Sequence, residues 1–158
     1  MTTLIAIIGI GIFCLLAEIM NLKKIIIPVS IVSLMALFGL NITGQLPEIT
    51  GYESMIEVNK FSVAFSSLFI LLTALLILMS APSYAKSSKL SDFISIKVFM
   101  LSGAVAMVSF SNMAMFFLGI EVLSIGLYVL AGSDRLNIKS NEAGMKYFLM
   151  GAFASGII

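Results

Sequence analysis

The chain has 158 residues, 60% of them hydrophobic and 11% charged, with no His and a formal net charge of +1; its mean hydropathy is +1.14. A soluble domain carries about 45–50% apolar and about 25% charged residues, and a fold of this size still exposes roughly a third of its surface, so a water-soluble globular enzyme is excluded. The same counts leave no nucleic-acid footprint and, with Cys14 as the one cysteine, no His-based acid–base pair, haem, internal disulfide or Cys-rich metal centre.

Six apolar runs follow one another, each near the ~20 residues that cross a bilayer as a helix. They predict an all-α polytopic transmembrane bundle. The first spans residues 2–20, with Glu18 near its end and Cys14 as packing inside it. Met1-Thr2-Thr3 lacks the basic region of a cleaved signal peptide, so this run is expected to stay in the membrane. The second, residues 25–42, has Pro28 in what should be its first turn, where a missing N–H costs little. The third, 61–81, carries no charge, and Pro82 is expected to end it. The fourth, 93–110, contains Lys97, close enough to its end to snorkel to the surface. The fifth, 113–131, contains Glu121 at its middle, with Asn112 before it as a turn residue. The sixth starts near Ala143, contains Lys146 and runs to Ile158. Ser140 and Asn141 read as its caps and Glu142 as a carboxylate on its positive end. From 143 to 158 it would reach only ~24 Å at ~1.5 Å per residue, short of the ~30 Å hydrocarbon core, which reads as part of a longer chain. Gly39, Gly103, Gly119 and Gly126 lie inside spans, where small residues let helices approach. The Met residues, spread among the spans, read as packing.

The short loops after spans one, three and five hold Lys23, Lys24, Lys86, Lys89, Arg135 and Lys139; the opposite side holds only Lys60, beside Glu48, Glu53 and Glu57. The positive-inside rule puts the first set in the cytoplasm and the N-terminus outside, periplasmic in a Gram-negative cell. Glu18 reads as interfacial, near Lys23 and Lys24.

Glu121 carries the chemistry. A carboxylate near the bilayer midplane costs roughly 2.5–3.5 kcal/mol on insertion scales, so such residues face the bundle interior and mark ion or proton paths. Desolvation favours the neutral acid and a nearby cation favours the carboxylate. A group caught between them can change protonation when the cation moves, as a proton relay requires. Ser124 and Tyr128, at i+3 and i+7, extend a polar stripe from it and could line a water path, although an interior Ser can equally bond its own helix. Lys146 is the natural partner. Counting from the loop 132–140 puts Glu121 ~15 Å and Lys146 ~9 Å deep, a gap an extended Lys or one water could close.

The stretch from Ser111-Asn112 through Phe117-Leu118-Gly119-Ile120-Glu121-Val122-Leu123-Ser124 and Leu127-Tyr128, then Ser140-Asn141-Glu142-Ala143-Gly144-Met145-Lys146-Tyr147-Phe148 and Gly151-Ala152-Phe153, resembles the antiporter-like membrane subunits of respiratory complex I, the NADH–quinone oxidoreductase. Ile120 stands where the L and M types and the multisubunit sodium/proton antiporters usually have Trp, which favours the N type. The resemblance is loose over spans one to four. It implies a fold of about fourteen helices, of which this chain would hold three leading helices (residues 1–91) and the first three of a repeat (92–158). It places Glu121 and Lys146 at the family's recurring charged positions. It also implies a bacterial inner-membrane location, other membrane-arm subunits and the lipid bilayer as partners, and no catalysis by this chain alone. NADH, FMN, iron–sulfur clusters and quinone would belong to partner subunits, with no cofactor or metal here. The alternatives are a subunit of a multisubunit cation/proton antiporter and a purely structural membrane subunit in which Glu121 and Lys146 only pack.

Overall fold

Six helices follow in chain order: α1 (Thr2–Ile19), α2 (Lys23–Thr43), α3 (Lys60–Tyr84), α4 (Leu90–Val108), α5 (Met113–Ala131) and α6 (Ile138–Ile157). The structure, a computed structural model, describes residues 2–19, 23–45, 47, 51, 54–84 and 90–158. A backbone in lipid must satisfy its own N–H and C=O groups, and continuous apolar runs meet that demand as helices. By length and composition α2, α3, α4 and α5 can each cross a membrane. α1 contributes a shorter apolar stretch, Thr2–Ala17, and α6 is diluted by Lys139, Glu142 and Lys146. The chain is a multi-pass membrane protein.

The helix ends differ from expectation where local capping chemistry decides. α6 starts at Ile138, not near Ala143, because Asn137 Oδ1 accepts from the Lys139 N–H at 3.0 Å. Its 20 residues reach ~30 Å, but the residues added ahead of the apolar run include Lys139, Asn141 and Glu142, so the apolar part is no longer than expected. Ser140 and Asn141 instead fasten the preceding turn, donating to Ala131 O at 2.8 Å and Arg135 O at 3.0 Å. Asn112 is the N-cap of α5, its side chain accepting from the Ala114 N–H at 2.8 Å. Pro28 lies beyond the first turn of α2, and α3 continues past Pro82 to Tyr84. Gly44, at φ 67°, ends α2 in the left-handed region that glycine adopts without strain.

The buried core joins the first four helices. Ile7, Cys14 and Ala17 of α1 meet Leu34 and Leu37 of α2, Ile70, Ala74 and Ile77 of α3, and Ile94, Val98, Leu101 and Val105 of α4. The steps of three, four and seven residues put each set on one helix face. α4 is central, touching α1, α2, α3 and α5, whereas α6 packs on α5. Between α2 and α3, buried Asn41 Nδ2 donates to Ser66 Oγ at 3.0 Å and Ser67 Oγ at 2.8 Å. Interhelical bonds of this kind average ~0.6 kcal/mol in membranes. Asn41→Leu should therefore lower stability by about 1–2 kcal/mol in a denaturant titration in detergent, while Asn59→Leu, exposed in the connection, should change it little.

The α2–α3 connection folds back onto the α4–α5 turn. Ile56 and Phe110 form an antiparallel bridge, with Glu57 N–H donating to Ser109 O at 2.9 Å and Ser111 N–H to Met55 O at 3.0 Å. These two connections therefore share one end of the bundle, and the turn around Arg135 lies at the other. The expected contact of Glu18 with Lys23 or Lys24 lies outside the described side chains, and Glu48, Glu53, Lys86 and Lys89 lie outside the described residues. Single cysteines at positions 57 and 135 should label from opposite sides of the membrane, 57 from the outside. Labelling of both from one side would break the topology.

Candidate functional site

Glycines set the position of α5. A Cβ built on Gly103 would lie 2.8 Å from both Gly119 O and Leu123 N, and one on Gly119 would lie 2.9 Å from Gly103 O and Met107 N. α4 and α5 thus cross at backbone contact. Gly126, one face-repeat further, receives the Met100 side chain. Gly39 has no atom within 4 Å of such a Cβ, so the expected close approach there is not made.

The opposite face of α5 meets α6. Gly132 and Gly144 abut, with the built Cβ of Gly144 at 2.8 Å from Gly132 Cα. The Tyr128 hydroxyl lies over Gly151, and its ring stands edge-on to Tyr147 at 5.0 Å and Phe148 at 5.8 Å between centroids. Glu121 is seven residues from Tyr128 and eleven from Gly132, two and three helical turns, so it shares this α6-facing side. It is half-buried. Among the described residues it makes no hydrogen bond or ion pair. Ser124, also half-buried, does not bond its own helix.

This register corrects the expected Glu121–Lys146 contact. With Gly132 level with Gly144, Glu121 stands eleven residues above that level and Lys146 two, a separation of ~13 Å along the axis. A Lys side chain does not bridge it. Counting depth from the loop failed because it set Ser140 level with Ala131, whereas Gly144 is the residue level with Gly132, which leaves Lys146 two residues above that level instead of six. Lys146 instead donates to Glu142 Oε1 at 2.6 Å, an exposed i,i+4 pair in the favourable Glu-before-Lys order. Glu142 is consequently a partner in the second turn of α6, not a carboxylate on its first turn. An exposed pair of this kind is worth about 0.3–0.5 kcal/mol, weak enough to open. The tyrosine–phenylalanine cluster around Tyr128 occupies the level between Glu121 and Lys146.

Lys97 departs from expectation as well. It does not simply reach for the surface: its Nζ donates to Ser80 Oγ on α3 at 2.6 Å. Ser80, Gly132, Gly144 and Gly151 are the site-shaping residues that the sequence reading passed over. Their signal was available in the small residues inside or beside spans, at Gly144 and Gly151 a seven-residue spacing on one helix face. Among the described residues no group of three or more His, Cys, Asp or Glu is placed to hold a metal. The arrangement offers one half-buried carboxyl in mid-helix, a hydroxyl one turn below, and an ammonium further down that is held by a second, weakly bound carboxylate.

Residues 110–158 match the family described as NADH:quinone oxidoreductase/Mrp antiporter, TM. The whole chain is 64% identical to NADH-quinone oxidoreductase subunit N of Flavobacterium johnsoniae, covering 34% of that protein. It is 61% identical to the subunit N of Flavobacterium psychrophilum and 38% identical to that of Cytophaga hutchinsonii, each over the full chain and 35% of the relative. The chain spans about a third of the length of these curated relatives.

Proposed function

We propose, since the chain resembles throughout its length the N-terminal third of NADH-quinone oxidoreductase subunit N, that it forms part of a proton-translocating membrane subunit of that oxidoreductase. The observation that carries the reading is Glu121, a half-buried carboxyl in mid-helix within the stretch that matches the family. On this reading Glu121 takes up and releases the proton. Lys146 sets the field it feels, and Ser124 and Tyr128 line the way between them. Other membrane-arm subunits deliver the energy of quinone reduction. NADH, FMN, iron–sulfur and quinone sites lie in partner subunits, and the chain sits in the bacterial inner membrane with its N-terminus outside.

The separation shapes the mechanism. At ~13 Å and an effective dielectric near ~20, two unit charges still interact by about 1 kcal/mol. Lys146 engaged with Glu142 presents a partly neutralised charge to Glu121; Lys146 released presents a full one. Opening and closing that pair modulates the carboxyl without contact. Glu121→Gln and Lys146→Ala should therefore couple by no more than about 1 kcal/mol. Glu142→Gln and Lys146→Ala should couple, because each removes the same ion pair. A double-mutant cycle on thermal stability of the assembled complex checks both. Lys146→Ala should lower proton pumping several-fold and less than Glu121→Gln does, and exchanging the two residues should not restore it. Pumping by Lys146→Ala at the wild-type rate would remove Lys146 from the relay.

A further inference from the structure

We propose that Ser155 of α6 stands opposite Glu121, and that its hydroxyl donates to the Glu121 carboxyl and fixes the geometry in which that group exchanges its proton. The inference rests on the reading of Glu121 as a proton carrier and adds the α6 partner that Lys146, far below, does not supply. Two contacts set the register. Gly144 lies level with Gly132, and the Tyr128 phenol reaches Gly151, where a built Cβ would lie 2.9 Å from its Cε1. Tyr128 is four residues above Gly132 and Gly151 seven above Gly144. A helical side chain leans toward its own N-terminus, which in α5 points away from the Gly132 level, so the phenol spans the remaining three residues, ~4.5 Å. The same register sets Glu121, eleven residues above Gly132, level with Ser155, eleven above Gly144; both stand ~16 Å from the glycine contact.

Burial selects the same face. From Asn141 to Ile157, only Gly144, Gly151 and Ser155 are less than fully exposed. Steps of seven and four residues put these three on one side of the helix. Among the described residues α6 packs on α5 and on no other helix, so the cover over Ser155 comes from α5, whose residue at that level and on that side is Glu121. Ser155 Oγ donates to Ala152 O at 3.3 Å, a long bond within its own helix that a χ1 rotation exchanges for the carboxyl. A hydrogen bond to an ionised acceptor is about twice as strong as one to a neutral acceptor, which favours that exchange when Glu121 is charged. When Glu121 is protonated its carbonyl oxygen still accepts from Ser155, so the serine keeps its own proton throughout. Ser124 on α5, one turn below Glu121, and the Tyr128 hydroxyl over Gly151 continue the polar groups toward the loop 132–140.

The test uses the full-length subunit in its membrane complex, reconstituted in proteoliposomes. Infrared difference spectra during turnover should contain a carboxylic carbonyl band that Glu121→Gln deletes. Ser155→Ala should move that band to higher wavenumber, because a carbonyl that loses a hydrogen bond stiffens, and should lower pumping several-fold. Ser155→Thr, which keeps the hydroxyl, should bring band and pumping back toward the wild type. Gly156→Ala, next in sequence and with open space around it, should alter neither. In a cysteine-free background, cysteines at positions 121 and 155 should be joined by a short bifunctional thiol reagent and cysteines at 121 and 146 should not, which tests the register even where a variant does not pump. A Glu121 band that Ser155→Ala leaves in place, or joining of 121 to 146 in preference to 155, would overturn the inference and leave Glu121 a proton carrier. The absence of any band that Glu121→Gln deletes would overturn the carrier reading and the inference with it.

Discussion

Glu121→Gln in the full-length subunit should leave the complex assembled while proton pumping and quinone reductase activity fall together by an order of magnitude or more. Gln keeps the volume and hydrogen-bonding capacity of Glu but has no titratable proton. It also removes a charge whose burial costs roughly 2.5–3.5 kcal/mol on insertion scales, so the substitution should not destabilise the helix. Glu121 makes no contact among the described residues that Gln would break, and its neighbours on the α6 side are held by glycine contacts and aromatic packing. Loss of turnover in an intact complex would thus report the proton itself. In a tightly coupled machine a blocked relay stalls the electrons as well, which is why both activities should fall. Assembly is checked by native gels, pumping by a pH-sensitive dye in proteoliposomes.

The second large effect is expected at the α4–α5 crossing. A methyl group at Gly103 would sit 2.8 Å from two backbone atoms, and one at Gly119 2.9 Å from two others. Backbone cannot rotate away as a side chain can, so the helices must part. Overpacking costs about 1–3 kcal/mol for small additions, and Gly103→Val or Gly119→Val should exceed Gly103→Ala. Because α4 is also packed to α1, α2 and α3, the displacement falls on α5 and carries Glu121 with it. These variants should lower both complex yield and thermal stability. Gly126→Ala should be milder, since only the flexible Met100 side chain is in the way. Gly9→Ala and Gly39→Ala, with open space around them, should be neutral or slightly stabilising. Melting curves of purified complexes order the series.

The helices themselves were legible in the sequence because lipid leaves the backbone few choices. The α5 boundaries, residues 113–131, agree with the structure, and α1 to α3 agree to within about three residues. What hydropathy could not say is which face of each helix turns inward. A helix that is apolar all round gives no moment to read, and Phe117, Leu118, Val122 and Ile125 of α5 stay exposed although they are as apolar as the core. The packing faces were written in glycine. Gly103, Gly119 and Gly126 were read as contacts, but Gly132, Gly144 and Gly151 were not, and those three fix the α5–α6 register. Missing them made Glu121 and Lys146 look adjacent. The partners of the polar residues were not legible: Lys146 took Glu142, four residues away on its own helix, and Lys97 took Ser80 across a helix interface. Local geometry satisfies a charge before a distant counter-charge can.

The most direct measurement of the proposed relay is infrared difference spectroscopy on the reconstituted complex, comparing resting and turning-over states. If Glu121 carries protons, a carbonyl band of a protonated carboxylic acid should appear or vanish on adding NADH and quinone, shift in heavy water, and be missing in Glu121→Gln. A carboxylic band that is unchanged in Glu121→Gln, or no carboxylic change during turnover of the wild type, would contradict a protonation cycle at this residue.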